Sequence, residues 1–241
     1  MKTTPPFRFK QFTIEQQINL HKVGTDSVLL GAWVDAGFHR VLDIGTGTGI
    51  LALMIAQKNL QAEIVAIEPD AAQCHEARIN FSNSPFQNRL TAVEQSLQGF
   101  QSEKKFDLII CNPPYFENST PNADEKKTRV RHTTELSVET LYACSSIHLS
   151  EGGSMYVIIP ADAEKNHLQQ AALQHLFPKK IMHTVRDDGT KVRSLIHYSR
   201  KPHSCLFSEM IVKHTNNKYS AAYIALTRDF YWKDLTGENN S

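Results

Sequence analysis

A doubly wound α/β fold, mostly parallel with an antiparallel C-terminal hairpin, is what these 241 residues predict. Three observations carry the prediction. From residue 40 to residue 178, short and nearly unbroken apolar runs alternate with helix-length segments, the pattern of a parallel sheet covered on both faces. A glycine-rich turn over Gly45–Gly49 joins the first run to its helix. Beyond residue 178 the rhythm changes to three successive strand-like runs separated by turns, for which antiparallel pairing is the natural outcome. No linker, repeat or low-complexity segment divides the chain. It reads as a single domain over 1–241, with a ribbon over 1–24, a core over 25–178, and antiparallel strands plus a last helix over 179–241.

The elements follow in order. Alternating Phe7, Phe9, Phe12 and Ile14 predict a short hairpin or edge ribbon. Thr25-Asp26-Ser27 offers caps for a helix over Val28–Val34. Arg40–Ile44 is a strand, Ile50–Lys58 a helix, Glu63–Glu68 a strand, and Asp70–Phe81 a helix with Asp70 as its cap. Leu90–Val93 and Phe106–Cys111 are the third and fourth strands. Val138–Leu149 reads as a helix stopped by Gly152-Gly153, Ser154–Ile159 as a strand, and Ala163–Leu176 as a helix ended by Pro178. Strands over Lys180–Val185, Leu195–Ser199 and Leu206–Lys213 precede a helix over Ser220–Phe230.

Composition excludes several classes. Lys plus Arg total 26 and Asp plus Glu 25, a formal net charge of +1, which rules out a uniformly polycationic coat and an acidic tail protein. Cys74, Cys111, Cys144 and Cys205 stand far apart with no C-x-x-C spacing, and the eleven histidines show no metal-ligand spacing, so no metal site is expected. The first residues, Met1–Pro6, lack a signal's apolar run, and no stretch reaches the roughly 20 apolar residues of a membrane helix. A cytoplasmic protein without membrane attachment is expected.

The chemistry concentrates at strand ends. Asp43-Ile44-Gly45-Thr46-Gly47-Thr48-Gly49 lies between the first strand and first helix, where glycines permit a sharp turn and close ligand approach. Glu68 ends the next strand, placed to accept hydrogen bonds from both hydroxyls of a ribose. The G-x-G-x-G spacing differs from the dinucleotide fingerprint, and no G-K-[ST] follows for a nucleoside triphosphate. Asn112-Pro113-Pro114-Tyr115 follows the fourth strand directly. Two prolines enforce an extended backbone and leave carbonyls as acceptors, Asn112 adds a side-chain carbonyl, and Tyr115 adds a flat face. The set suits a planar substrate bearing an amino group, stacked on Tyr115.

With its leading Asp43, the glycine segment resembles motif I of class I S-adenosylmethionine-dependent methyltransferases, and the tetrapeptide is similar to that of enzymes methylating adenine N6, cytosine N4 or glutamine N5. The resemblance implies a Rossmann-like sheet of class I methyltransferase type. It further implies that Asp43 orients the methionine portion of S-adenosyl-L-methionine. Gly45, Thr46, Gly47 and Gly49 admit the cofactor, Glu68 holds its ribose, and Ser96 stands where an acidic residue often contacts the adenine. The whole chain also resembles the small bacterial family that methylates N6 of adenine 37 in valine tRNA. That likeness rests on Phe7–Phe12, Lys22–Trp33, Asp43–Gly49, Asn112–Phe116, Arg129-x-Arg131-His132 and Tyr219–Tyr231. In that family Lys22–Asp26 would lie against the cofactor, making Thr25 and Asp26 further candidates, with helix capping as their plainer role. A glutamine N5 protein methyltransferase and a non-catalytic RNA-binding module of the same fold are the alternatives.

The charge map supplies an independent check on an RNA partner. Residues 41–123 and 134–178 each carry −4, whereas 124–133 carry +2 and 179–201 carry +5. Lys126, Lys127, Arg129, Arg131, Lys191 and Arg193 are the resulting phosphate-contact candidates. An adenine must be extruded to reach Tyr115, and a single-stranded anticodon loop makes that step cheap.

Overall fold

The computed structural model describes residues 4–16, 22–113 and 136–236. Pro114, Tyr115, Lys126, Lys127, Arg129 and Arg131 lie outside the described residues. The ribbon is present as β1 (Phe7–Arg8) paired antiparallel with β2 (Thr13–Ile14). Then come α1 (Thr25–Trp33), β3 (Arg40–Ile44), α2 (Ile50–Lys58), β4 (Glu63–Glu68), α3 (Ala71–Ser82), β5 (Leu90–Glu94) and β6 (Phe106–Cys111). The remainder comprises α4 (Val138–His148), β7 (Leu149–Pro160), α5 (Glu164–Leu173), β8 (Phe177–Val185), β9 (Lys191–Ser199), β10 (Leu206–Ile211) and α6 (Ala221–Thr227).

Eight strands form one sheet in the order β10-β8-β9-β7-β6-β3-β4-β5. Alternation along each strand explains its two cores. Leu108 and Ile110 of β6, and Tyr156 and Ile158 of β7, pack on one face with α1 and α2. Ile109, Cys111, Met155 and Val157 pack on the other with α4 and α5. A period of two with both sets apolar buries both faces. Asp43 shares its side of β3 with Val41, and so points toward α2.

Several boundaries depart from the sequence reading. Thr25, Asp26 and Ser27 lie inside α1; the cap is Gly24, with no side-chain hydrogen bond. Gly152-Gly153 do not stop a helix. The chain turns into β7 directly after His148, and the two glycines ride in the strand where its register against β6 slips between Phe106 and Leu108. Helix α5 ends at Leu173, with His175 in the left-handed region at φ 56°. Pro178 lies within β8, where its missing N–H is tolerated because pairing with β10 begins only at Lys180.

The C-terminal strands are antiparallel only in part. β9 runs antiparallel to β7 and β8, but β10 runs parallel to β8. Both edges of β9 are already taken, so β10 must add to the outer edge of β8. Starting from the end of the sheet at which β9 finished, it has one direction available.

Arg89 closes the far end of α2. Its guanidinium donates to the carbonyls of Ala56 at 3.0 Å, Asn59 at 3.0 Å and Ala62 at 2.8 Å, satisfying acceptors that a helix terminus leaves open. Arg89→Ala is expected to lower stability by about 2 kcal/mol, read as a reduced urea midpoint. Arg89→Lys should recover little, because one ammonium cannot match the planar fork.

Candidate active site

The parallel strands β3 to β7 all end at one edge of the sheet. The chain steps outward from β3 to β4 to β5 and then returns to β6 on the other side of β3. The crevice beyond β3 and β6 is therefore the switch point at which doubly wound sheets bind ligands. Register sets Ile44 level with Ile67 and Cys111, so the glycine loop, Glu68 and Asn112 emerge side by side.

The glycine loop is built around Asp43. This residue is fully buried, and its Oδ2 accepts from Thr46 Oγ1 at 2.5 Å and from the Ala52 N–H at 3.2 Å. Its Oδ1 is buried with no hydrogen-bond partner. Burial, reinforced by the nearby negative Glu68, pushes its carboxyl up to about 7 against those two stabilising bonds. Gly49 caps α2 at φ 84°, and a Cβ there would lie 2.4 Å from the Phe81 ring. Only glycine meets both demands.

Glu68 is 6% exposed. Its two oxygens accept from the N–H groups of Gly47 at 3.0 Å and Asp70 at 3.1 Å, which fixes the carboxylate plane at the strand end. Asp70 in turn caps α3 through the N–H groups of Ala72 and Gln73, each at 3.0 Å. Ser96 is half-buried beyond β5, and its hydroxyl accepts from the Gly99 N–H at 3.3 Å within a local turn.

Asn112 directly follows β6, and its Nδ2 donates to Ser27 Oγ on α1 at 2.9 Å. Asp26, one residue earlier, accepts from Arg193 Nε at 2.8 Å. Register places Arg193 opposite Pro160, the last residue of β7, so β9 begins at the same edge as the crevice. Lys191 is exposed at its first position. Thr25 is exposed on the first turn of α1. The structure therefore brings together Asp43, the glycine loop, Glu68 and Asn112–Pro113, and it sets Thr25, Asp26, Lys191 and Arg193 on the flank toward β9.

Two contributors escape a reading of the sequence. Ser27 looks like a cap candidate, and nothing around it signals a bond to Asn112. Asn80 is fully buried on α3; its Nδ2 donates to the Thr48 carbonyl at 2.8 Å and the Glu15 carbonyl at 3.1 Å, and its Oδ1 accepts from the Glu15 N–H at 2.8 Å. It ties the glycine loop to the N-terminal ribbon. The basic segment 179–201 also divides. Lys180 reaches back to Asp35 at 2.9 Å, and Arg200 at the opposite end of β9 bonds the carbonyls of Ser146 and Leu149. Only Arg186, Lys191 and Arg193 of this segment's cations lie at the crevice edge. Among the described residues no group of three or more His, Cys, Asp or Glu could hold a metal, and no helix is long and apolar enough to cross a membrane.

Comparison with known proteins agrees with this geometry. Residues 21–192 match the methyltransferase small domain model. A tRNA1(Val) (adenine(37)-N6)-methyltransferase of Bacteroides thetaiotaomicron is 39% identical over 94% of this chain and 97% of its own. The chain belongs to this methyltransferase family. The similarly named protein of Haemophilus influenzae is 36% identical over 94% of this chain and 98% of its own. Among solved structures, a predicted O-methyltransferase from Agrobacterium tumefaciens superposes with a TM-score of 0.67 at 18% identity, covering 85% of this chain and 96% of that one. A methyltransferase from Pyrococcus furiosus gives 0.54 at 22% identity over 78% and 88%. Both share the fold.

The chain is thus a methyltransferase, and S-adenosylmethionine is its cofactor. The residues present fit that group: an unsatisfied buried carboxylate oxygen on Asp43, a loop held open by glycines, and an oriented carboxylate at Glu68.

The raised Asp43 carboxyl has a consequence for the ligand-free protein. The unfolded chain loses this proton near 3.8 whereas the folded chain keeps it to about 7, so folding takes up a proton between these values and stability falls as pH rises across that window. Above about 7 the contribution is level. Denaturant midpoints across the window should show this slope, and Asp43→Asn should flatten it relative to wild type.

Proposed function

We propose that this methyltransferase transfers a methyl group from S-adenosylmethionine to N6 of adenine 37 in the anticodon loop of valine tRNA. The observation that carries the reading is likeness across nearly the whole chain to relatives named for that reaction, at 36–39% identity. The placement of Asn112 beside the cofactor crevice supports it. The chain works as one domain, and its free thiols at Cys74, Cys111, Cys144 and Cys205 fit a reducing cytoplasm.

Bound S-adenosylmethionine supplies an electrophilic methyl group on a sulfonium. Asp43 orients the methionine portion, with Thr46 and the Ala52 N–H fixing the carboxylate. Gly45, Gly47 and Gly49 let the chain approach the cofactor closely, and Glu68 accepts from the ribose hydroxyls. Ser96 lies toward the adenine end of the crevice.

An exocyclic amino group is a weak nucleophile because its lone pair is delocalised into the ring. The side-chain carbonyl of Asn112 and the main-chain carbonyl of Pro113 accept its two hydrogens, favouring a pyramidal nitrogen with its lone pair aimed at the methyl carbon. Donation from Asn112 Nδ2 to Ser27 fixes the amide plane, which leaves Asn112 little to reorganise as charge develops. Tyr115, by the sequence motif, supplies a flat face suited to stacking with the base. The new N–C bond forms as the methyl's bond to the sulfonium sulfur breaks and its electron pair stays on sulfur. The surplus proton on nitrogen is then acidic enough to pass to water while the two carbonyls act only as hydrogen-bond acceptors, so no strong base is needed.

Nucleoside mass analysis after incubating valine tRNA with enzyme and labelled cofactor is expected to show N6-methyladenosine at position 37. Label in a protein, or none in either, would sink the reading. Asn112→Ala should lower kcat on the order of 100-fold or more while calorimetry shows cofactor affinity unchanged. Ser27→Ala should give a smaller loss in kcat, through a less firmly held Asn112.

A further inference from the structure

A second cavity of about 210 Å³ opens at the same edge of the sheet. Thr25 and Asp26 of α1 form one wall, Arg186 and Arg193 at the ends of β8 and β9 the other, and Lys213 beyond β10 closes it. Asp26 and Arg193 bridge the walls at 2.8 Å. The residue after Asp26 is Ser27, which holds Asn112. The cavity therefore borders the acceptor position along α1, on the flank away from the glycine loop.

Its electrostatics are those of an anion path. Arg186 and Lys213 are exposed and carry no ion pair among the described residues. The acidic groups beside them are held by hydrogen bonds, and Asp188 keeps its charge within reach of Arg186. Asp26 faces Arg193; Asp187 accepts from His214 Nδ1 and the Thr215 N–H, each at 2.7 Å; Asp188 accepts from the Thr190 N–H at 2.8 Å. Lys213 also lies over the Tyr219 ring at 5.4 Å, which steadies its stem. The cations at this edge, Arg186, Lys191, Arg193 and Lys213, outnumber the carboxylates Asp26, Asp187 and Asp188, and they stand beside the position where a single-stranded base would be presented.

We infer that this groove takes the RNA backbone next to the target adenosine, with Arg186 and Lys213 contacting flanking phosphates. The inference rests on the RNA reading above and adds to it the track of the strand. It gives Thr25 and Asp26 a place on the RNA side of the crevice, and it adds two cations that the sequence did not single out. Arg193 serves as the positioning residue that holds the two walls together through Asp26.

The test uses the full chain with Arg186→Ala and Lys213→Ala combined, and Lys104→Ala as a control ahead of β6 at the opposite edge. Binding of valine tRNA is measured across a salt series, with turnover at saturating tRNA and cofactor affinity alongside. Removing two phosphate contacts should weaken tRNA binding roughly 10-fold and lower the slope of log affinity against log salt by about 1.4 to 1.8. kcat and cofactor affinity should be unchanged, and Lys104→Ala should match wild type. Wild-type enzyme that methylates tRNA while the double variant keeps the full salt slope overturns the groove alone. Wild-type enzyme that transfers no methyl group to tRNA overturns the RNA reading and the groove with it.

Discussion

A carboxylate buried at the end of the central strand is the constraint around which the catalytic edge is arranged. Asp43 stands between apolar neighbours on β3, shielded by α2, and one of its oxygens has no partner within the protein. An uncompensated buried charge costs several kcal/mol, and the fold answers with Thr46, the Ala52 N–H and a retained proton. Gly49 lets α2 begin close enough for the Ala52 N–H to reach the carboxylate, and Phe81 packed against that glycine leaves no room for anything larger. One carboxylate oxygen keeps unspent hydrogen-bonding capacity at the end of β3.

The other half of the site depends on α1, an element that precedes the sheet in sequence and has no glycine motif. Its first turn makes two bonds to distant parts of the chain: Asp26 to Arg193, 167 residues away, and Ser27 to Asn112, 85 residues away. Consecutive residues on a helix point in different directions, so one turn can hold the acceptor loop with one side chain and the C-terminal strands with the next. The proposed cofactor half and the proposed acceptor half are thereby built from different layers that meet over β3 and β6.

The C-terminal strands extend this edge. β9 enters the sheet antiparallel, so its first residues come to the end at which β7 finishes. Net charge over 179–201 conveys a basic hairpin, but the antiparallel path distributes those charges to both ends of the sheet. Lys180 and Arg200 serve the fold, Arg193 is paired with Asp26, and Arg186, Lys191 and, from beyond β10, Lys213 are exposed.

The sequence by itself determined the local elements whose signals are local. Unbroken apolar runs located β3, β4 and β6; the Asp70 cap located α3; the glycine loop located the start of α2. It also placed Asp43, Glu68 and Asn112 at strand ends, which the parallel register brings to one edge of the sheet. Tertiary structure alone decided whatever depends on which strand lies beside which. That includes the parallel entry of β10, the acceptance of Pro178 in a strand not yet paired on one side, and the passage of Gly152-Gly153 through a register slip. Most of all, it decided the partners of Asp26 and Ser27. Capping chemistry is common to any Ser, Thr or Asp near a helix start, whereas the bonds that these side chains make are set by elements more than 80 residues away, whose positions no local pattern encodes.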